Sequence, residues 1–147
     1  MIDLAAQPPA RLDEIVEEFA DLEPRERLEL LLDFAESLPE LSPELKAQRD
    51  AGLHRIHECQ TPVYLWVSVE EGKVRVDGDV APEAPTVKGF VAILVDAFTG
   101  AAPAEVLCAQ PDLLSRLGLA ETLGMVRMRG LSAILYRIRE EVRRAAA

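Results

Sequence analysis

The segment His54-Arg55-Ile56-His57-Glu58-Cys59-Gln60-Thr61-Pro62-Val63 gathers both histidines of the chain and one of its two cysteines. A thiol acts as nucleophile or metal ligand only as its thiolate, so the chemistry of this stretch depends on what surrounds Cys59. His57 stands two residues before Cys59, and on an extended segment the two side chains project to one side, where His57 could assist the thiol. Glu58 adjoins the thiol and opposes its ionisation by like charge. His54 faces the other way on such a strand and reads as a structural or surface residue.

His54, His57, Cys59 and the distant Cys108 are the right ligand types for zinc or an iron–sulfur cluster. Their spacing argues against a stable metal site, because no Cys-x-x-Cys pair exists and the second cysteine is far away in sequence. Cys108 lies in the apolar run Val106-Leu107-Cys108-Ala109, where cysteine behaves as a small buried hydrophobe. A hydrolytic cysteine enzyme needs a base held by a third group and an oxyanion pocket, and Cys59 with His57 supplies a pair alone. Neither a glycine-rich phosphate loop nor a dinucleotide fingerprint is present. An autonomous enzyme is therefore not expected.

The elements that must position Cys59 follow from periodicity. Leu12, Ile15, Val16 and Phe19 recur at helical spacing opposite Asp13, Glu14, Glu17 and Glu18. Pro24 opens a second helix whose stripe is Leu28, Leu31, Leu32, Ala35 and Leu38, and Pro39 stops it. Ser42-Pro43 is the start of a short helix to Asp50. From Val63 the period becomes two, with Val63, Leu65, Val67 and Val69 on one face and Tyr64, Trp66 and Ser68 on the other. Glu70-Glu71-Gly72-Lys73 is a turn, Val74-Arg75-Val76 pairs back, and His54 to His57 is expected to add a third short strand.

A helix apolar almost all round, Thr86 to Phe98, must cover the sheet, and Gly89 within it implies close approach of another backbone. Gly100 ends that helix, and Pro103 opens a short one. Leu113, Leu114 and Leu117 mark a further helix, and the last carries Leu131, Ile134, Leu135, Ile138 and Val142 on one stripe. Helices, a hairpin and more helices give an α+β fold in a single domain, 1–147. Within it 1–8 is expected to be flexible, 9–53 to hold the first helices, 54–80 the sheet and cysteine loop, and 86–147 the remaining helices.

The 147 residues are 49% hydrophobic and 29% charged, the balance of a globular protein. A net charge of −10 makes nucleic acid a poor partner, and no run is long enough to span a bilayer. The first nine residues lack a basic start and an apolar core, so a cytoplasmic location with reduced cysteines is expected. Charge is uneven: residues 1–50 sum to −9 and residues 125–147 to +4, an asymmetry that suits either partner steering or solvated helix faces.

Three stretches carry a family resemblance. Glu58-Cys59-Gln60-Thr61-Pro62-Val63-Tyr64-Leu65-Trp66 resembles the Gly-Cys-Gln-Ser loop and strand of SufE proteins. Pro85-Thr86-Val87-Lys88-Gly89-Phe90 resembles their Val-(Lys/Arg)-Gly-Leu helix start, and Arg127-Met128-Arg129-Gly130-Leu131 their Arg-x-x-Gly-Leu opening of the last helix. The resemblance runs over most of the chain. It implies a SufE/IscU-like fold, a small antiparallel sheet of about three strands packed on helices.

By the same resemblance Cys59 accepts persulfide sulfur from a SufS-type cysteine desulfurase, stimulates that enzyme, and hands the sulfur to a SufBCD-type assembly complex. No cofactor is implied for this chain, since the pyridoxal phosphate belongs to the desulfurase. Gln60 and Arg127 match family positions, Gln60 as a residue ordering the loop and Arg127 as a cation for the sulfur anion. Glu58 replaces the family glycine, Thr61 its serine, and Pro62 stiffens the loop exit. Competing readings are a metal-binding or thiol-redox module of His57, Cys59 and Cys108, an IscU-like scaffold, and a structural adaptor. The IscU relatives use three cysteines and a histidine, whereas this loop has one cysteine.

Overall fold

The structure is a computed structural model, and it describes residues 6–109 and 112–146. Two amphipathic helices come first, α1 (Ala10–Ala20) and α2 (Pro24–Ser37), followed by α3 (Pro43–Asp50). The hairpin β1 (Val63–Glu70) and β2 (Lys73–Val80) leads into α4 (Pro85–Phe98). Three short helices, α5 (Pro103–Leu107), α6 (Leu113–Arg116) and α7 (Leu119–Leu123), precede the long α8 (Met125–Ala146). Of the amino-terminal residues expected to be flexible, 1–5 lie outside the described residues. The Ala6 carbonyl accepts a bond from Cys108 Sγ at 3.5 Å.

Local chemistry accounts for the boundaries. Ser42 caps α3 by accepting the Leu45 amide at 3.3 Å, and proline occupies the first turn of α2, α3, α4 and α5. The hairpin turns on two residues, Glu71 (φ 53°) and Gly72 (φ 77°). Positive φ at both central positions matches the right-handed twist of the flanking strands, and glycine suits the second. The register pairs Val63 with Val80, Leu65 with Gly78, Val67 with Val76 and Val69 with Val74. Val63, Leu65, Val74, Val76 and Val80 are thereby buried on one face of the pleat.

Among the described residues the sheet has two strands, not three. His54 takes a left-handed conformation (φ 64°), which no strand can continue, so the pairing expected over His54 to His57 shrinks to one bridge between Arg55 and Tyr64. Two backbone bonds nonetheless root this stretch on β1: Ile56 donates to Val63 at 2.8 Å, and Leu65 donates to His54 at 3.1 Å.

An isolated hairpin is marginal, and helices supply the cover. α4 packs on β2 and α8 on β1, while α1 and α2 pack on α4 from its other side. Phe90, Val91, Ile93, Leu94 and Phe98 of α4 are fully or almost fully buried, as are Leu131, Ile134, Leu135, Ile138 and Val142 of α8. One apolar cluster runs through all these elements.

Gly89 sits where α2 crosses α4, and a methyl group there would overlap the Leu31 carbonyl and lie 2.9 Å from Leu31 Cγ. In an open helix Gly→Ala stabilises by about 1 kcal/mol. At this crossing the sign reverses, because the carbonyl belongs to helix backbone and cannot step aside. Gly89→Ala is expected to destabilise the protein by about 1–3 kcal/mol, read as a lowered urea midpoint at constant slope.

Candidate functional site

Cys59 is held from both ends of its loop. Its amide donates to the Ile56 carbonyl at 3.3 Å, closing a turn from the residue bonded to Val63. Beyond the loop the Pro62 carbonyl accepts from Ala81 at 3.1 Å, which fixes the exit to the end of β2. Glu58 needs no positive φ in this turn, so its replacement of a glycine leaves the backbone unstrained.

The side chain points inward. Cys59 is 7% exposed, belongs to the apolar cluster, and its Sγ donates to the Gly130 carbonyl of α8 at 3.4 Å. A methyl on Gly130 would stand 3.5 Å from that sulfur, an ordinary van der Waals contact. Burial is the larger cause that pushes the Cys59 thiol above its ordinary pKa, and the Glu58 carboxylate adds to it. At rest this is a neutral thiol with a carbonyl acceptor.

A cavity of about 680 Å³ opens on the sulfur. The loop contributes Glu58, Cys59, Gln60 and Thr61, the approach to α4 contributes Glu83 to Val87, and the first turns of α8 contribute Val126, Arg127, Arg129, Gly130 and Leu131. A second, more open hollow of about 470 Å³ lies along Gln60, Thr61, Pro62, Ala81, Glu83 and Ala84. Gln60 and Thr61 therefore border space on two sides.

Arg127 is exposed and donates through Nη1 to Thr86 Oγ1 at 2.6 Å, bridging the starts of α8 and α4. Met125 (75% exposed) and Val126 (83%) project from the same end of α8.

The structure thus brings Glu58, Cys59, Gln60 and Arg127 to one cavity. His57 is exposed and does not line it, because the turn that replaces the expected strand carries it away. The His54 ring lies tilted beside Trp66, with ring centroids 5.5 Å apart. Among the described residues no group of three or more His, Cys, Asp or Glu side chains could hold a metal ion. Arg129, Glu83 and Thr86 also border the cavity. Sequence reasoning placed Arg129 and Thr86 inside motifs without a role, and Glu83 had no signal of its own.

Comparisons with known proteins agree with this geometry. The family model described as SufE, Fe-S metabolism associated domain, matches residues 13–142. The chain belongs to the SufE family. It is 36% identical over 141 residues to an uncharacterized SufE-like protein of Mycobacterium tuberculosis, covering 95% of this chain and 96% of that one. A cysteine desulfuration protein SufE of Plasmodium vivax is 32% identical over 83 residues, 55% of this chain and 34% of the relative. The solution structure of a hypothetical protein from Thermus thermophilus superposes with TM-score 0.82 at 37% identity, covering 95% of this chain and 98% of that one. The fold is thus shared with that solved structure, and the family is one associated with iron–sulfur metabolism.

Because burial precedes Glu58 as the cause, the two separate by mutation. The pH midpoint for alkylation of Cys59 by iodoacetamide is expected above that of an ordinary thiol. Glu58→Gln lowers it part of the way, and a complete return to the ordinary midpoint would contradict the order of causes.

Proposed function

We propose that this chain is a sulfur acceptor for a SufS-type cysteine desulfurase. The observation that carries the reading is a buried, neutral thiol at the wall of a cavity, on a SufE-family loop. In the transfer, the Cys59 thiolate attacks the outer sulfur of the donor enzyme's persulfide. A new S–S bond forms to Cys59, the donor's S–S bond breaks, and the donor leaves as a thiolate. No net oxidation occurs, and this chain needs no cofactor of its own for it.

Reaching the thiolate is the difficult step. The shift on Cys59 favours the proton at neutral pH, so docking must relieve the burial that causes it. Space on both sides of Gln60 and Thr61 gives the loop room to swing the sulfur outward. Gln60 borders both hollows, and Arg127, tethered to Thr86, keeps a cation at the cavity. His57 stands at the exposed start of the turn, where it would act after the loop has opened. Met125 and Val126 offer the partner an apolar contact beside this opening.

The loaded chain would then pass its sulfur to a SufBCD-type complex, in the cytoplasm. Among the described residues no helix is long and apolar enough to cross a membrane. Sheltering the sulfur between the two encounters keeps oxidants from converting it irreversibly.

Intact mass after incubation with a SufS-type desulfurase and L-cysteine tests the proposal. Wild type and Cys108→Ser are expected to gain one reducible sulfur atom, and Cys59→Ser none. A gain that survives in Cys59→Ser would overturn the assignment.

A further inference from the structure

The cavity beside Cys59 is larger than a thiol needs. One more sulfur on Sγ extends the side chain by a bond of about 2.05 Å, and about 680 Å³ is open to receive it. The charged groups lining that space are Glu58 and Glu83 from the two loops, and Arg127 and Arg129 from α8. Glu58 and Glu83 disfavour an anion there, so a sulfur anion depends on the arginines.

The two arginines are not equivalent. Arg127 keeps its charge but is tethered to the Thr86 hydroxyl through Nη1. Arg129 is exposed, and it forms no hydrogen bond or ion pair with any described residue. Arg11, Arg27, Arg49, Arg75, Arg116, Arg137 and Arg143, by contrast, all pair with carboxylates. The resting thiol donates to the Gly130 carbonyl and is held neutral by burial and by Glu58. Arg129 therefore brings to the sulfur cavity a charge that no described residue pairs with.

We propose that Arg129 is the counter-ion of the loaded state, its guanidinium pairing with the terminal sulfur anion of a Cys59 persulfide inside the cavity. The inference rests on Cys59 being the acceptor. It adds a change of partner on loading: the neutral thiol donates to the Gly130 carbonyl, whereas a persulfide anion is repelled by that oxygen and drawn to a cation. A persulfide ionises more readily than a thiol because the neighbouring sulfur weakens its S–H bond. The carbonyl thus suits the empty chain and Arg129 the loaded one.

The test loads the Cys108→Ser protein with glutathione persulfide, which needs no partner enzyme. The Cys59 thiolate takes the outer sulfur and glutathione leaves as its thiolate. Intact mass confirms loading, and the pH profile for alkylation by iodoacetamide is then recorded for loaded and empty protein. Arg129→Gln is expected to raise the loaded midpoint by about one pH unit, and Arg129→Lys to restore most of it. The empty midpoint should not move.

A loaded profile indifferent to Arg129→Gln, or equal shifts in loaded and empty protein, would overturn the role of Arg129 while leaving the acceptor intact. Failure of the parent protein to take up sulfur at Cys59, from glutathione persulfide and also from a SufS-type desulfurase with L-cysteine, would remove the acceptor reading, and the counter-ion with it.

Discussion

The Cys59 sulfur and the Gly130 carbonyl are 3.4 Å apart, and that contact sets demands on elements far from either residue. It requires α8 to lie against β1, which the buried stripe from Leu131 to Val142 secures. It leaves room at position 130 for no more than a contact at van der Waals distance, since a Cβ there would stand 3.5 Å from the sulfur. It also requires a loop anchored on β1 through Ile56 and on β2 through Pro62. The carbonyl accepts and cannot donate, so it holds the sulfur in the protonated, least nucleophilic form. Burial works in the same direction. A resting site built this way is quiet, and reactivity must be supplied by a change in its surroundings.

α1 and α2 carry many of the acidic residues and cover α4 on the side away from the hairpin, while two arginines of α8 border the sulfur cavity. The local field at the cavity is mixed, because Glu58 and Glu83 face the same space. Glu58 opposes ionisation of the Cys59 sulfur, and in the proposed loaded state Arg129 would favour ionisation of the second sulfur.

Much of this was legible in residue order because it is written in local rules. Helical stripes, the period of two from Val63, the Ser42-Pro43 start and the Gly72 turn each specify their element within a few residues. Gly89 also announced a close backbone approach, since glycine inside so apolar a helix has little other reason. The third strand failed on one dihedral angle: His54 adopts a left-handed conformation that no pattern of apolar residues encodes. That turn also carried His57 out of the cavity, so a spacing argument valid on a strand did not hold here. Burial of Cys59 and the approach of Arg129 depend on contacts between residues some 70 positions apart, which periodicity does not reach.

The chain contains a single tryptophan, and its position gives the molecule a built-in optical signal. Trp66 is buried, donates through Nε1 to Gln48 Oε1 at 2.9 Å, and lies beside the His54 ring and the Tyr64 ring. His54 accepts the Leu65 amide through its carbonyl and begins the turn that leads to Cys59. Displacement of the loop would drag on that root and alter what surrounds the indole. Its fluorescence therefore offers a label-free view of loop opening, in a protein whose reactive atom is otherwise spectroscopically silent.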